Sequence, residues 1–174
     1  VEVSRMRKTP IIVFINKLDR EGLDAFDLID DIEQKLGLNA CPLSWPIGMG
    51  QRFKGVYNIY ENKLSLFGAH GKQTEGETIV INDINDPTID KIVGEGAAKE
   101  LREEMETVKG IYPDFDKEAY LNGNQSPVFF GSAVNNFGVK ELLDCFVEIA
   151  PPPLPRETEE RTVRPEENAF SGFV

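Results

Sequence analysis

The sequence is poor in the residues that mark disulfide-stapled, metal-binding or membrane proteins. Two cysteines in 174 residues, Cys41 and Cys145, are too few for a disulfide framework or a metal cluster, and both read as structural. The one histidine, His70, lies in a glycine-rich stretch and reads as a surface residue rather than a catalytic one. No apolar run approaches the ~20 residues that a membrane-spanning helix needs. The opening VEVSRMRK has no apolar stretch behind its charges and is not a signal peptide. Positive charge is also scarce, with 19 Lys and Arg against 30 Asp and Glu and a net charge of −11. Such a chain offers no cationic face for a direct grip on nucleic-acid phosphates. These absences point to a reduced, cytoplasmic setting with no membrane contact.

What is present is ordinary globular composition, 40% hydrophobic and 28% charged, enough for a buried core. After a short helical ending at residues 2–7, Ile11-Ile12-Val13-Phe14-Ile15 predicts a strand buried on both faces, as in a parallel sheet. Residues 24–36 carry Phe26, Ile29, Ile32 and Leu36 at helical spacing, with carboxylates early and Gly37 as the stop. Between Cys41 and Ile81, glycines punctuate the short runs Val56–Tyr60, Lys63–Phe67 and Thr78–Ile81, which predict an antiparallel meander. A charged helix over Ala97–Lys109 follows, with Ala97, Leu101, Met105 and Val108 as its apolar stripe, then a short one near Asp116–Leu121.

The α/β pattern then returns. Pro127-Val128-Phe129-Phe130 predicts a second buried strand, and the helix over Val139–Ile149 presents Val139, Leu142, Leu143, Phe146 and Val147 on one face. Pro151-Pro152-Pro153 reads as a stiff linker, and the polar stretch Arg156–Asn168 as an extended connector. The fold class is therefore α/β. A parallel sheet built from 1–40 and 126–150 carries flanking helices, 41–125 forms an inserted α+β segment, and 151–174 holds the linker and the start of a following domain. The chain opens without Met and closes on Phe170-Ser171-Gly172-Phe173-Val174, which reads as a strand just beginning; it is expected to be a piece of a longer polypeptide.

The chemistry concentrates at Asn16-Lys17-Leu18-Asp19, directly after the first buried strand. In open α/β sheets, ligands bind beyond the carboxyl ends of strands, so the tetrad stands where a ligand is expected. A carboxylate with two acceptor oxygens matches the two adjacent donors on the edge of guanine, so Asp19 can hold that base bidentately. Adenine lacks both donors and would be rejected by several kcal/mol, on the order of what an unpaired charge costs. Lys17 can lay its methylene stem over the base, and Asn16 can contact the base and pin neighbouring loops. Gly131-Ser132-Ala133 follows the second strand as the tetrad follows the first, so both loops open on one rim. Small residues there would bring the backbone N–H groups of Ser132 and Ala133 close to the guanine carbonyl oxygen.

A phosphate cradle, Gly-x4-Gly-Lys-Ser/Thr, is missing: Gly71-Lys72 is followed by Gln73, and Gly48-Met49-Gly50 lacks Lys-Ser/Thr behind it. Nor does any motif combine a Mg²⁺ site with a γ-phosphate site, so no catalytic residue and no metal ligand is assigned, and the isolated chain is expected not to hydrolyse GTP.

These residues, with Trp45-Pro46-Ile47-Gly48-Met49-Gly50, Phe53-Lys54-Gly55-Val56-Tyr57, Pro127–Ala133, Asn136-Phe137-Gly138-Val139 and Ala150–Pro153, resemble the bacterial peptide chain release factor 3 family of translational GTPases over essentially the whole chain. Elongation factor G shares the guanine tetrad, Pro-Ile-Gly with Phe-Lys-Gly-Val, and Gly-Ser-Ala. Trp45 before Pro46 and the Phe129-Phe130 pair favour the release factor. The resemblance implies the C-terminal half of a P-loop GTPase domain followed by a β-barrel domain. GTP or GDP would be bound in the intact protein, with Mg²⁺ held by residues outside this chain. It implies base contacts from Asn16, Lys17 and Asp19, supported by Ser132 and Ala133. The implied partners are the ribosome and class-I release factors, with a ribosomal-protein contact through 41–125. An elongation-factor-G-like translocase, and a segment 41–125 that is mainly an interaction module, are the alternatives.

Overall fold

The computed structural model describes residues 1–7, 9–66 and 78–172; His70, Gly71, Lys72 and the last two residues lie outside them. The elements run in chain order α1 (Glu2–Met6), β1 (Val13–Ile15), α2 (Ala25–Leu36), β2 (Ala40–Pro42), β3 (Ser44–Ile47), β4 (Gly55–Asn58), β5 (Lys63–Leu66) and β6 (Thr78–Val80). They continue with α3 (Pro87–Val93), α4 (Glu95–Ile111), α5 (Lys117–Leu121), β7 (Ser126–Phe130), α6 (Val139–Ile149), β8 (Arg156–Glu157) and β9 (Thr162–Val163). A three-stranded parallel sheet, ordered β1-β7-β2, is flanked by helices, and β3-β4-β5-β6 form an antiparallel sheet. Among the described residues no helix is long and apolar enough to cross a membrane.

Local chemistry sets the ends of these elements. The Asp24 carboxylate accepts the Asp27 N–H at 2.9 Å to start α2, and the Gly37 N–H donates to Glu33 O at 2.8 Å to stop it. Glu33 then accepts the Ala40 N–H at 2.8 Å and delivers the chain into β2. Cys41 and Pro42 thus belong to the parallel sheet, so the boundary drawn at residue 40 falls inside a strand. The chain passes from one sheet to the other at Leu43-Ser44: the Leu43 N–H donates to Val128 O at 2.9 Å, and Ser44 Oγ accepts the Phe130 N–H at 3.0 Å.

The predicted strand at 11–15 shortens to three residues. Val13 and Phe14 are only half-buried, because β1 is at the edge of its sheet, paired with β7 alone among the described strands. Strand β7, between β1 and β2, is buried along its whole length and on both faces. Val128 and Phe130 point into a large cluster shared with Trp45, Val56, Leu101 and Met105, while Phe129 points into a second one with Cys41, Tyr120 and Cys145. Burial raises the thiols of Cys41 and Cys145 to about 12 and about 11, so both pack as inert apolar groups.

Three further differences have physical causes. Helix α3 starts on an Asp86 cap with Pro87 in its first turn and stops at Gly94, and a bidentate ion pair from Arg102 to Asp90 (2.9 and 2.6 Å) ties it to α4. Helix α6 turns inward through Glu141, Cys145 and Ile149, whereas Leu143, Phe146 and Val147, expected on the core face, are exposed. Cys145 and Ile149 join the cluster of Phe129 and Tyr120, and the Ser65 hydroxyl donates to Glu141 Oε1 at 2.6 Å, so this face is the one held inward. Instead of a connector, residues 156–163 include the short hairpin β8–β9.

Trp45 is the centre of the large cluster, fully buried, with Phe26 at 4.7 Å and Phe130 at 5.5 Å between ring centroids. Its indole N–H donates to Glu104 Oε2 on α4 at 2.8 Å. Burial holds the Glu104 carboxyl above the usual carboxylate range despite that bond. A raised carboxyl favours the folded state below the ordinary glutamate value and loses that contribution as pH rises through the folded one. Glu104→Gln keeps an acceptor for the indole without a charge. The variant is expected to melt above the wild type at neutral pH, with the gain fading on acidification into the ordinary glutamate range. Thermal melts of both proteins across that interval check it, and parallel curves would contradict it.

Candidate functional site

The parallel register aligns Ile15 with Phe130, so the segments leaving β1 and β7 emerge side by side at the carboxyl end of the sheet. Backbone bonds lock them together there: the Gly131 N–H donates to Ile15 O at 3.0 Å, and the Leu18 N–H donates to Gly131 O at 3.1 Å. Leu18 is buried beneath the turn, leaving Asn16 and Lys17 exposed and Asp19 half-buried on the rim. The tetrad's alternation of inward and outward side chains follows from this single apolar anchor.

All five residues singled out from the sequence come together. Ser132 Oγ donates to Asp19 Oδ1 at 2.6 Å, and Asn135 Nδ2 donates to Ser132 Oγ at 2.8 Å. Asn16 Oδ1 accepts both the Ala133 N–H and the Lys17 N–H at 2.8 Å. Lys17 sits in the left-handed region at φ 70°, a conformation that costs a non-glycine residue about 1–2 kcal/mol. The Asn16 bond offsets part of that cost, and the Lys17 side chain stays exposed. A carboxylate has acceptor sites on both oxygens, so the Ser132 hydroxyl fixes the Asp19 plane without exhausting it.

Of the two amides expected to meet a base carbonyl, the Ser132 N–H donates to Phe137 O at 3.0 Å and the Ala133 N–H to Asn16 Oδ1 at 2.8 Å. The loop closes on itself because Ser132 and Phe137 form a two-way bridge, the Phe137 N–H returning to Ser132 O at 3.0 Å. Ser132 therefore acts on Asp19 through its hydroxyl. Gly131 makes the close approach possible: a Cβ there would lie 2.3 Å from Phe137 O and 2.7 Å from Phe14 Cζ.

Comparison with known proteins decides the family. Residues 1–152 match the Elongation factor Tu GTP binding domain family. The chain belongs to that family. A crystal structure of a protein from Thermus thermophilus shares the fold, with a TM-score of 0.55 and 22% identity over 86% of this chain and 23% of that one. The chain thus spans about a quarter of that protein's length. As a member of the Elongation factor Tu GTP binding domain family, the chain is a translational GTPase-like domain, from a family whose members bind GTP or GDP with Mg²⁺. The rim presents the exposed Asn16 amide and Lys17 ammonium beside the half-buried Asp19 carboxylate, which has acceptor sites on both oxygens. Among the described residues, no group of three or more His, Cys, Asp or Glu is arranged to hold a metal ion.

Proposed function

We propose that this chain is the guanine-recognition part of a translational GTPase that frees class-I release factors from the ribosome at termination. The observation that carries the base assignment is the Ser132 hydroxyl on Asp19 Oδ1 at 2.6 Å, with Asn16 bracing the same two loops. It holds a carboxylate plane open to solvent at a strand's carboxyl end, where a pair of neighbouring donors can dock edge-on. Asn16, Lys17 and Asp19 contact the base, while Ser132 and Ala133 support them. The phosphates and Mg²⁺ are held by residues outside this chain, and hydrolysis belongs to the intact protein.

The termination role rests on Trp45 before Pro46 and on the Phe129-Phe130 pair, the features that set the release-factor type apart from elongation factor G. Both meet in the core, where the Trp45 and Phe130 rings are in edge contact. The test uses the intact factor and ribosomes halted after peptide release. GTP-dependent departure of a bound class-I release factor is expected. Stimulated movement of messenger RNA and transfer RNA without that departure would instead identify a translocase of the elongation-factor-G type.

A further inference from the structure

Between β3 and β4 the chain makes a tight turn over residues 48–54 that touches both base-recognition loops from behind. At its head, the Gly50 N–H donates to Leu18 O at 2.9 Å, inside the tetrad, and the Gln51 N–H donates to Glu21 Oε1 at 3.3 Å. Gly50 has φ 58°, a left-handed conformation that favours glycine, and a Cβ there would lie 2.2 Å from Glu21 Oε1, so the Glu21 side chain would have to swing aside. At its tail, the buried Phe53 ring meets the Phe137 ring edge-on, with centroids 5.5 Å apart and planes at 88°. Phe137 is the residue whose backbone bridges Ser132 in both directions. The turn itself is stiff: the Phe53 N–H donates to Gly50 O at 3.2 Å and the Lys54 N–H to Ile47 O at 2.8 Å.

We propose that the turn at 48–54 is a brace that sets the spacing of Asp19 and Ser132, with Phe53 as its positioning residue. The inference rests on the reading of Asp19 as the guanine ligand and extends the determinants of base specificity into the antiparallel sheet. Of the direct bonds between the two loops, only the Ser132 hydroxyl reaches the Asp19 carboxylate; the Ala133–Asn16 and Leu18–Gly131 bonds hold the tetrad at other points. The brace spans the same gap through a backbone hydrogen bond at one end and a ring contact at the other. Neither involves an exposed side chain that water can compete for. Movements of the antiparallel sheet therefore reach the base site without passing through β1 or β7.

The test compares binding of GDP and inosine diphosphate to the intact factor. Hypoxanthine differs from guanine only in lacking the exocyclic amino group, so the ratio of the two affinities reports where the Asp19 acceptors stand. General loss of stability lowers both affinities and leaves the ratio alone. Phe53→Leu keeps apolar volume but loses the edge contact, and is expected to cut the guanine preference by about three- to tenfold, or roughly 0.7–1.4 kcal/mol. Glu21→Ala, on the exposed side of the turn, removes only the Gln51 tie and is expected to give a smaller fall in the same direction, even if the Phe53 variant does not fold. An unchanged ratio in a folded Phe53→Leu protein, or in Glu21→Ala where the other fails to fold, overturns the brace. Asp19→Asn in the same assay separates the two claims. If it leaves guanine over xanthine unchanged, the base-site reading fails; if it switches the preference while the ratio stays put in the turn variants, only the brace fails.

Discussion

Asp19→Asn is expected to exchange a preference for guanine for one for xanthine in the intact factor. Guanine presents two neighbouring donors, a ring N–H and an amino group, and the carboxylate of Asp19 accepts both. Asparagine at this position offers one acceptor and one donor, so its amide NH₂ would face the guanine amino group. Xanthine has a carbonyl in place of that amino group and restores the match. One bond to a charged acceptor is lost, at ~1.5–3 kcal/mol, and the other becomes a neutral one, at about 1 kcal/mol, which lowers guanine affinity on the order of a hundred- to a thousand-fold. The Ser132 hydroxyl can still donate to the asparagine oxygen, so the loop geometry persists and the comparison stays one of hydrogen-bond polarity. Competition between guanosine and xanthosine diphosphates measures it, and unchanged guanine selectivity would count decisively against Asp19 as the base ligand.

The second large effect is on stability. Trp45→Ala removes a fully buried indole whose ring meets Phe26 on α2 and Phe130 on β7 and whose N–H is bonded to Glu104 on α4. Large-to-small changes of this kind cost about 3–5 kcal/mol, because the transfer term adds to a cavity that the surroundings only partly collapse into. The Glu104 carboxylate also loses its donor while half-buried. Total stability of a domain is about 5–15 kcal/mol, so the variant is expected to be marginally folded or unfolded at room temperature. Far-UV circular dichroism during denaturant titration is the suitable readout, since the variant has no tryptophan left to report by fluorescence. Trp45→Phe, which keeps most of the ring volume, should lose distinctly less. Equal losses in the two variants would show that the indole bond to Glu104, rather than packing, dominates at this position.

Much of the site is legible in the sequence. Two uninterrupted apolar runs, each followed by a short polar motif, are how buried parallel strands ending in ligand loops are written, and both loops do open on one rim. Helix α2 is equally legible, since its cap, its period and its stop are all local. Helix α3 carries a readable signal, Asp86-Pro87 before an apolar pair and Gly94 after it, but its seven residues are too short for a period to stand out. The hidden features are those joining residues far apart in sequence. The commitment of the Ser132 amide to Phe137 depends on how a loop closes, and the ties of Gly50 to Leu18 and Phe53 to Phe137 depend on where a separate sheet docks.

Glu141 marks the limit most clearly. A glutamate in the first turn of an amphipathic helix reads as a solvated charge, yet it is buried, accepting the Ser65 hydroxyl at 2.6 Å, with its second oxygen unpartnered among the described residues. The sequence by itself determined which residues are candidates to meet a base and which strands carry them, because side-chain chemistry and hydrophobic period are local properties. Only the tertiary structure decided which face of α6 turned inward, which amides were already spent, and what holds Asp19 opposite Ser132. Those outcomes come from competition among distant surfaces for the same buried space, which no single segment encodes.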